Sequence, residues 1–164
     1  MRDKFVWIDM EMSGLCPNKD VVLEIATIIT DNKLNPVAEG PSIVVSQPES
    51  VLLGMDEWNT KHHKQSGLWD KVLNSETNTK QAEEQTLNFL KEHTKHNSSP
   101  LCGNSVWQDR SFLYNYMPSI VDHLHYRIVD VSTIKLLASH WNCDIEPFVK
   151  KNEHRALDLS LIHI

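Results

Sequence analysis

The chain has 164 residues, 40% of them hydrophobic and 23% charged, with a formal net charge of −6. That is enough apolar sequence for one domain with a single core, and no apolar run comes near the roughly 20 residues that a helical membrane span needs. A net acidic chain without a Lys/Arg stripe lacks the footprint of a protein that grips long nucleic acid by counterion release, so a nucleic-acid substrate is expected to be short.

Met1-Arg2-Asp3-Lys4 runs into apolar Phe5-Val6-Trp7-Ile8 and then meets acid. No signal-peptide core is read there, and a cytoplasmic location is expected. Cys16, Cys102 and Cys143 are odd in number and far apart, which argues for idle or buried thiols over a disulfide framework or zinc site. In chain order, residues 5–11 and 21–31 read as strands joined by a turn at Gly14 and Pro17. Residues 34–46 continue the pattern, with a turn at Asn35-Pro36 and an interruption at Gly40-Pro41, giving an antiparallel three-strand start. Helices are expected at 57–65, 68–73 and 79–96, the last with Ala82, Leu87 and Leu90 on its apolar face. Residues 100–104 read as a short buried strand, followed by a helix through Phe112, Leu113 and Tyr116 that ends at Pro118. A strand at 127–131 then leads to a helix capped by Ser132 or Thr133. Strands first, then alternating helices and strands, indicate an α/β domain with a mixed sheet.

Asp9 and Glu11 stand two apart on the first strand, so both carboxylates leave the same face. Such a pair favours a cation, and all-oxygen donors suit Mg²⁺ or Mn²⁺; the same spacing also fits acid on the wet face of an edge strand. Asp109 opens a helix, where it either joins those acids or serves the helix N-terminus. His154 stands in a polar stretch, and its imidazole titrates where a general base for water attack is useful.

Trp7-Ile8-Asp9-Met10-Glu11-Met12-Ser13-Gly14-Leu15 resembles the first exonuclease motif of the oligoribonuclease family. Glu39-Gly40-Pro41, Met55-Asp56-Glu57-Trp58-Asn59, Ser66-Gly67-Leu68, Gly103-Asn104-Ser105, Tyr116-Met117-Pro118, His125-Tyr126-Arg127 and Asp130-Val131-Ser132-Thr133 resemble it in order and spacing. The resemblance runs from about Phe5 to Asp158. It implies an RNase H-like exonuclease fold, with a mixed central sheet flanked by helices. It also implies a homodimeric 3′→5′ exoribonuclease that degrades short RNA, dinucleotides above all, to nucleoside 5′-monophosphates with two Mg²⁺ or Mn²⁺ ions per site. By the same resemblance Asp9, Glu11 and Asp109 hold the metals, while His154 and Tyr126 act in catalysis. Leu15 and Trp58 would meet the two bases, core packing being the alternative. His63, Ser105, Ser132 and Thr133 would cap the 5′ phosphate, with Tyr126 and Arg127 reaching in from the partner subunit, and Asp130 is read as structural.

The sequence departs from the family at its last motif. His154-Arg155-Ala156-Leu157-Asp158 is followed by Leu159 where the family carries its fourth metal-site carboxylate. Neighbouring helical positions point about 100° apart, so Asp158 is not a simple substitute. Residues 1–158 are therefore read as a C-terminally truncated exonuclease domain lacking its last helix, with 159–164 a non-native tail and activity impaired. A non-catalytic dinucleotide binder and a DNA-directed proofreading exonuclease are the competing readings.

Overall fold

Five strands form one mixed sheet in the order β3-β2-β1-β4-β5, all within residues 4–141, the part of the chain that the computed structural model describes. Alternating and continuous runs of Val, Ile and aromatic residues make β1 (Lys4–Met12) and β2 (Val22–Asp31). They pair antiparallel, with Asp9 opposite Ala26 and Glu11 opposite Glu24. β3 (Pro36–Val44) extends the meander antiparallel to β2. Its register shifts where the sequence reads Gly40-Pro41, and a Cβ on Gly40 would lie 2.7 Å from the Phe89 ring. The expected three-strand start is present, interruption included.

β4 (Pro100–Gly103) runs parallel to β1 through Val6 opposite Leu101 and Trp7 opposite Cys102. β5 (His125–Asp130) runs parallel to β4 and is an outer strand. Parallel strands need crossovers, which the helices supply. α1 (Glu49–Leu53), α2 (Glu57–Gln65), α3 (Leu68–Asn74) and α4 (Thr79–His93) lie between β3 and β4, and α5 (Trp107–Tyr116) and α6 (Pro118–His123) lie between β4 and β5. α7 (Val131–His140) follows β5.

The alternation of β1 sends its side chains to opposite faces of the sheet, and three apolar clusters form around it. Val6, Ile8 and Met10 pack with Ala82 and Leu90 of α4, Phe112 and Leu113 of α5 and Ile120 of α6. Burial of each such large side chain contributes roughly 1.5–3 kcal/mol. A second cluster joins Leu23 of β2 to Leu52, Leu68, Trp69 and Val72 of α1 and α3, while Trp7, Ile28 and Cys102 form a third. Cys102 is buried and its thiol is pushed up to about 12 by burial; Cys16 is exposed.

The structure differs from the sequence reading at several ends. α1 and α6 were not expected; Pro118 ends α5 but is also the first residue of α6, where its fixed φ and missing N–H cost nothing. α4 ends at His93, three residues early, with Thr94 as its C-cap. Asp130, not Ser132 or Thr133, caps α7, accepting the Ser132 N–H.

Candidate active site

The carboxyl ends of β1 and β4 lie side by side, and the acids gather there. β4 stops at Gly103, so Met10, beyond the paired stretch of β1, turns its N–H to another partner: Asp109 Oδ1 accepts it at 3.1 Å. Asp109 sits in the first turn of α5, and its carboxylate is buried. The helix can start this close because Gly103 has no Cβ; one would lie 2.9 Å from Val106 and 3.2 Å from the Ile8 carbonyl. Val106, not Asp109, is the N-cap of α5; the Asp109 carboxylate lies in the first turn of the helix and joins it to the strand.

Electrostatics tie the three acids together. The Glu11 carboxyl is pushed up to about 8, first by burial and then by the charges of Asp9 and Glu24. Asp109 is raised well above the usual carboxylate range, by burial foremost and then by Asp9, with Glu11 adding to it. Glu24 was not read from the sequence as part of this group. It faces Glu11 across the β1–β2 ladder, is buried, and accepts the Ser42 hydroxyl at 2.7 Å. An acid inside the apolar run Val21-Val22-Leu23-Glu24-Ile25-Ala26 was the available signal.

Three carboxylates meet at this end of the sheet, and the charge of Asp9 raises the proton affinity of the other two; such a set matches a hard divalent cation in donor chemistry. Among the described residues, no three His, Cys, Asp or Glu side chains are already drawn into a coordination cage. Carboxylates that repel one another do not converge that far unaided.

Two large apolar side chains border this end of the sheet. Leu15 is 74% exposed and Trp58 67% exposed, which weighs against core packing as their role. Trp58 lies flat against His62 with ring centroids 4.8 Å apart and planes 7° apart. Next along the helix, His63 is 1% exposed, and its Nε2 lies 3.0 Å from the Met12 carbonyl. A carbonyl only accepts, so Nε2 carries the proton. Burial lowers the pKa of His63 and keeps the ring neutral. As placed, His63 anchors α2 to the end of β1 and offers solvent no donor.

A second constellation surrounds Asp130. Its Oδ1 accepts the Ser105 N–H at 2.9 Å, the Ser132 N–H at 2.9 Å and the Ser132 hydroxyl at 2.6 Å. Burial works against ionisation here, yet the bonds from Ser132 and Ser105 hold Asp130 below its ordinary value. Ser105 adopts a left-handed φ of 55° at this junction. Asp130 thus draws Ser105 and Ser132 together, in keeping with its structural reading. Ser132 spends both donors on Asp130, whereas Thr133 is exposed and lines an open groove with Trp107, Ile128 and Ile134.

Tyr126 and Arg127 stand exposed on β5. The Tyr126 ring is 4.3 Å from that of His125 and 5.5 Å from the Arg127 guanidinium carbon, and Arg110 Nη1 donates to its carbonyl at 3.2 Å. His154, Asp158 and Leu159 lie outside the described residues, as do Cys143 and the expected tail.

The family model for the RNase T group, described as Exonuclease, matches residues 6–158. An oligoribonuclease from Pseudomonas paraeruginosa is 54% identical over 154 residues, 93% of this chain and 86% of its own length. The chain belongs to the oligoribonuclease family. The oligoribonuclease of Alcanivorax borkumensis is 52% identical over 96% of this chain and 87% of its own length. The enzyme class that comes with the family is 3′→5′ exoribonuclease, a phosphodiester hydrolase. Among solved structures, E. coli exonuclease I in complex with a 5cy-dT13 oligonucleotide superposes with a TM-score of 0.75 at 12% identity. That match covers 99% of this chain but 39% of the other, and it shows the shared exonuclease fold. The zinc-ion-bound form of the E. coli exonuclease I–ssDNA complex gives 0.65 at 14% identity, over 99% of this chain and 39% of the other. The RNase H-like reading of the sheet and its flanking helices is met. Among the described residues no helix is long and apolar enough to cross a membrane.

Proposed function

We propose that this chain binds very short RNA, dinucleotides foremost, at the carboxyl end of β1, and that the reaction built into the site is hydrolysis to nucleoside 5′-monophosphates. The observation that carries this is the meeting of three mutually repelling carboxyls, Asp9, Glu11 and Asp109, with an exposed Leu15 three residues beyond the end of β1. Asp9, Glu11 and Asp109 would hold two divalent ions, Mg²⁺ or Mn²⁺, which when bound polarise the phosphate and activate water. His154 would take the proton from that water. Leu15 and Trp58 would each meet a base, which grips without reading sequence. Thr133 and Ser105 would border the 5′ phosphate, Asp130 fixing the backbone around them, with Ser132 and His63 supporting from behind.

We further propose a homodimer in which Tyr126 and Arg127 serve the partner subunit's site. Support comes from the register: Asp130 lies level with Gly103, so Tyr126 stands about three residues back and two strands across from Asp9, a separation of roughly 14 Å between Cα atoms from ordinary sheet spacings. That is too far to serve its own carboxylates. A cytoplasmic location fits such a nuclease. Residues 1–158 would be the exonuclease unit, as the span of the family match supports, and 159–164 would stand outside it. Leu159, without a donor for a hard cation, would leave turnover low.

Hydrolysis of labelled RNA dinucleotide in Mg²⁺ or Mn²⁺, by this chain and by its Leu159→Asp variant, tests the reading. Low but metal-dependent turnover, raised in the variant, is expected. Tight binding with no cleavage by either chain would favour a non-catalytic binder. Preferential degradation of longer single-stranded DNA would overturn the substrate assignment.

A further inference from the structure

The loop between β1 and β2, residues 13–21, holds its exposed leucine on a frame with little freedom. Inside the loop, the Asp20 carboxylate accepts the Ser13 hydroxyl at 3.2 Å and the Cys16 N–H at 2.9 Å, and Val21 N–H donates to Ser13 Oγ at 3.0 Å. A Cβ on Gly14 would fall 2.5 Å from that carboxylate, so glycine is required where the loop folds over it. From outside, three side chains of α5 hold the same loop. Gln108 Nε2 donates to the Leu15 carbonyl at 2.7 Å, Asn115 Nδ2 to the Pro17 carbonyl at 2.9 Å, and the Tyr116 hydroxyl to the Asp20 carbonyl at 2.7 Å.

Positions 108 and 115 stand two turns apart on one face and hold the Leu15 and Pro17 carbonyls, while Asp109 and Tyr116, two turns apart about 100° round the helix, reach β1 and the end of the loop at Asp20. One rigid helix therefore fixes both the buried Asp109 carboxylate and the loop that displays Leu15. Exposing a leucine on so constrained a loop forgoes apolar burial, which a base packed against it would recover.

We propose that Gln108 is a positioning residue for substrate binding: its bond to the Leu15 carbonyl sets how far the leucine stands from the Asp109 carboxylate, and so the span of the dinucleotide that fits. This rests on the reading that Leu15 meets a base. Gln108 acts through Leu15 and touches no substrate itself. Asn115 and Tyr116 hold the far half of the loop and leave the Leu15 carbonyl to Gln108.

The test is a double-mutant cycle with Leu15→Ala and Gln108→Met, the latter keeping side-chain length while removing the donor. Affinity would be measured for a 5′-phosphorylated RNA dinucleotide with a non-hydrolysable linkage, in Mn²⁺. Gln108→Met should weaken binding about three- to tenfold, the reach of one neutral hydrogen bond, at an unchanged melting temperature. The double variant should bind no worse than Leu15→Ala alone. Hydrogen exchange gives a readout that needs no ligand: amides 14–16 should exchange faster in Gln108→Met. Unchanged exchange and affinity, or additive losses in the double variant, would overturn the proposal while leaving the base contact standing. A neutral Leu15→Ala would overturn the base contact and this proposal with it.

Discussion

Glu11 holds its proton up to about pH 8, against an ordinary value of 4.5, because burial and the charges of Asp9 and Glu24 oppose its ionisation. In that window the folded metal-free chain binds a proton that the unfolded chain has released, so stability falls as pH rises through it. Metal-free protein should melt at lower temperature at pH 8 than at pH 5, and Glu11→Gln should flatten the profile. Burial lowers the pKa of His63, which pulls the other way at the acid end; the difference between parent and variant removes that contribution and reports Glu11 together with the part of the Asp109 shift that Glu11 causes. Mn²⁺ should raise the melting temperature most at the alkaline end, where it meets carboxylates already deprotonated. A parent profile parallel to that of Glu11→Gln would remove the carboxylate cluster as its cause. Trp58 offers a second residue-scale test. Trp58→Ala should weaken dinucleotide binding by about 1–3 kcal/mol without base preference, and because the ring is exposed the melting temperature should stay within a degree or two. A fall in stability with affinity intact would return Trp58 to a packing role.

At the scale of elements, Asp130 shows how far a local pattern carries. Asp130-Val131-Ser132-Thr133 offers three residues able to cap a helix, and the expectation of Ser132 or Thr133 was off because the direction in which β5 arrives chooses among them. Asp130→Ala removes the cap of α7 and the tether of Ser105 together. It should destabilise the fold by about 1–2 kcal/mol and weaken binding of a 5′-phosphorylated dinucleotide more than that of an unphosphorylated one. Equal losses on both ligands in a binding titration would separate Asp130 from the phosphate end. α6 is hidden in the sequence because Pro118 reads as a stop, although proline is also at home at the start of a helix. α1 is hidden because five residues between Pro48 and Gly54 carry too little periodicity to register.

At the scale of the molecule, the outer strand and the last described helix carry apolar surface that the described residues leave uncovered. Of α7 only Ala138 is buried, while Ile134, Leu136 and Trp141 are exposed, as are Tyr126 on β5 and Trp107 at the start of α5. A self-complementary interface across this edge fits the proposed sharing of sites. In Leu159→Asp chains, Asp9→Ala and Arg127→Ala should each lower turnover by at least tenfold. Mixing the two should restore part of it, because some mixed dimers combine an intact acid cluster with an intact partner Arg127. Demonstrated mixed dimers without recovery would place Arg127 in its own subunit's site.

Much of this protein is written locally. Alternation in residues 5–11 puts Asp9 and Glu11 on one face whatever surrounds them, and the strand and helix order follows from periods that short windows contain. The motif spelling from Trp7 to Leu15, together with the further motifs that follow it in order and spacing as far as Asp130-Val131-Ser132-Thr133, carries the family resemblance. Which acids meet was decided only by the tertiary structure. Asp109 reaches β1 because β4 ends at Gly103 and leaves the Met10 N–H to be satisfied, and Glu24 joins the cluster through strand register. Burial, which raises Glu11 and Asp109 and silences His63, is likewise a property of the packed whole. A sequence window holds the donors and the charges; their free energies depend on what the fold brings beside them and on how much water it removes.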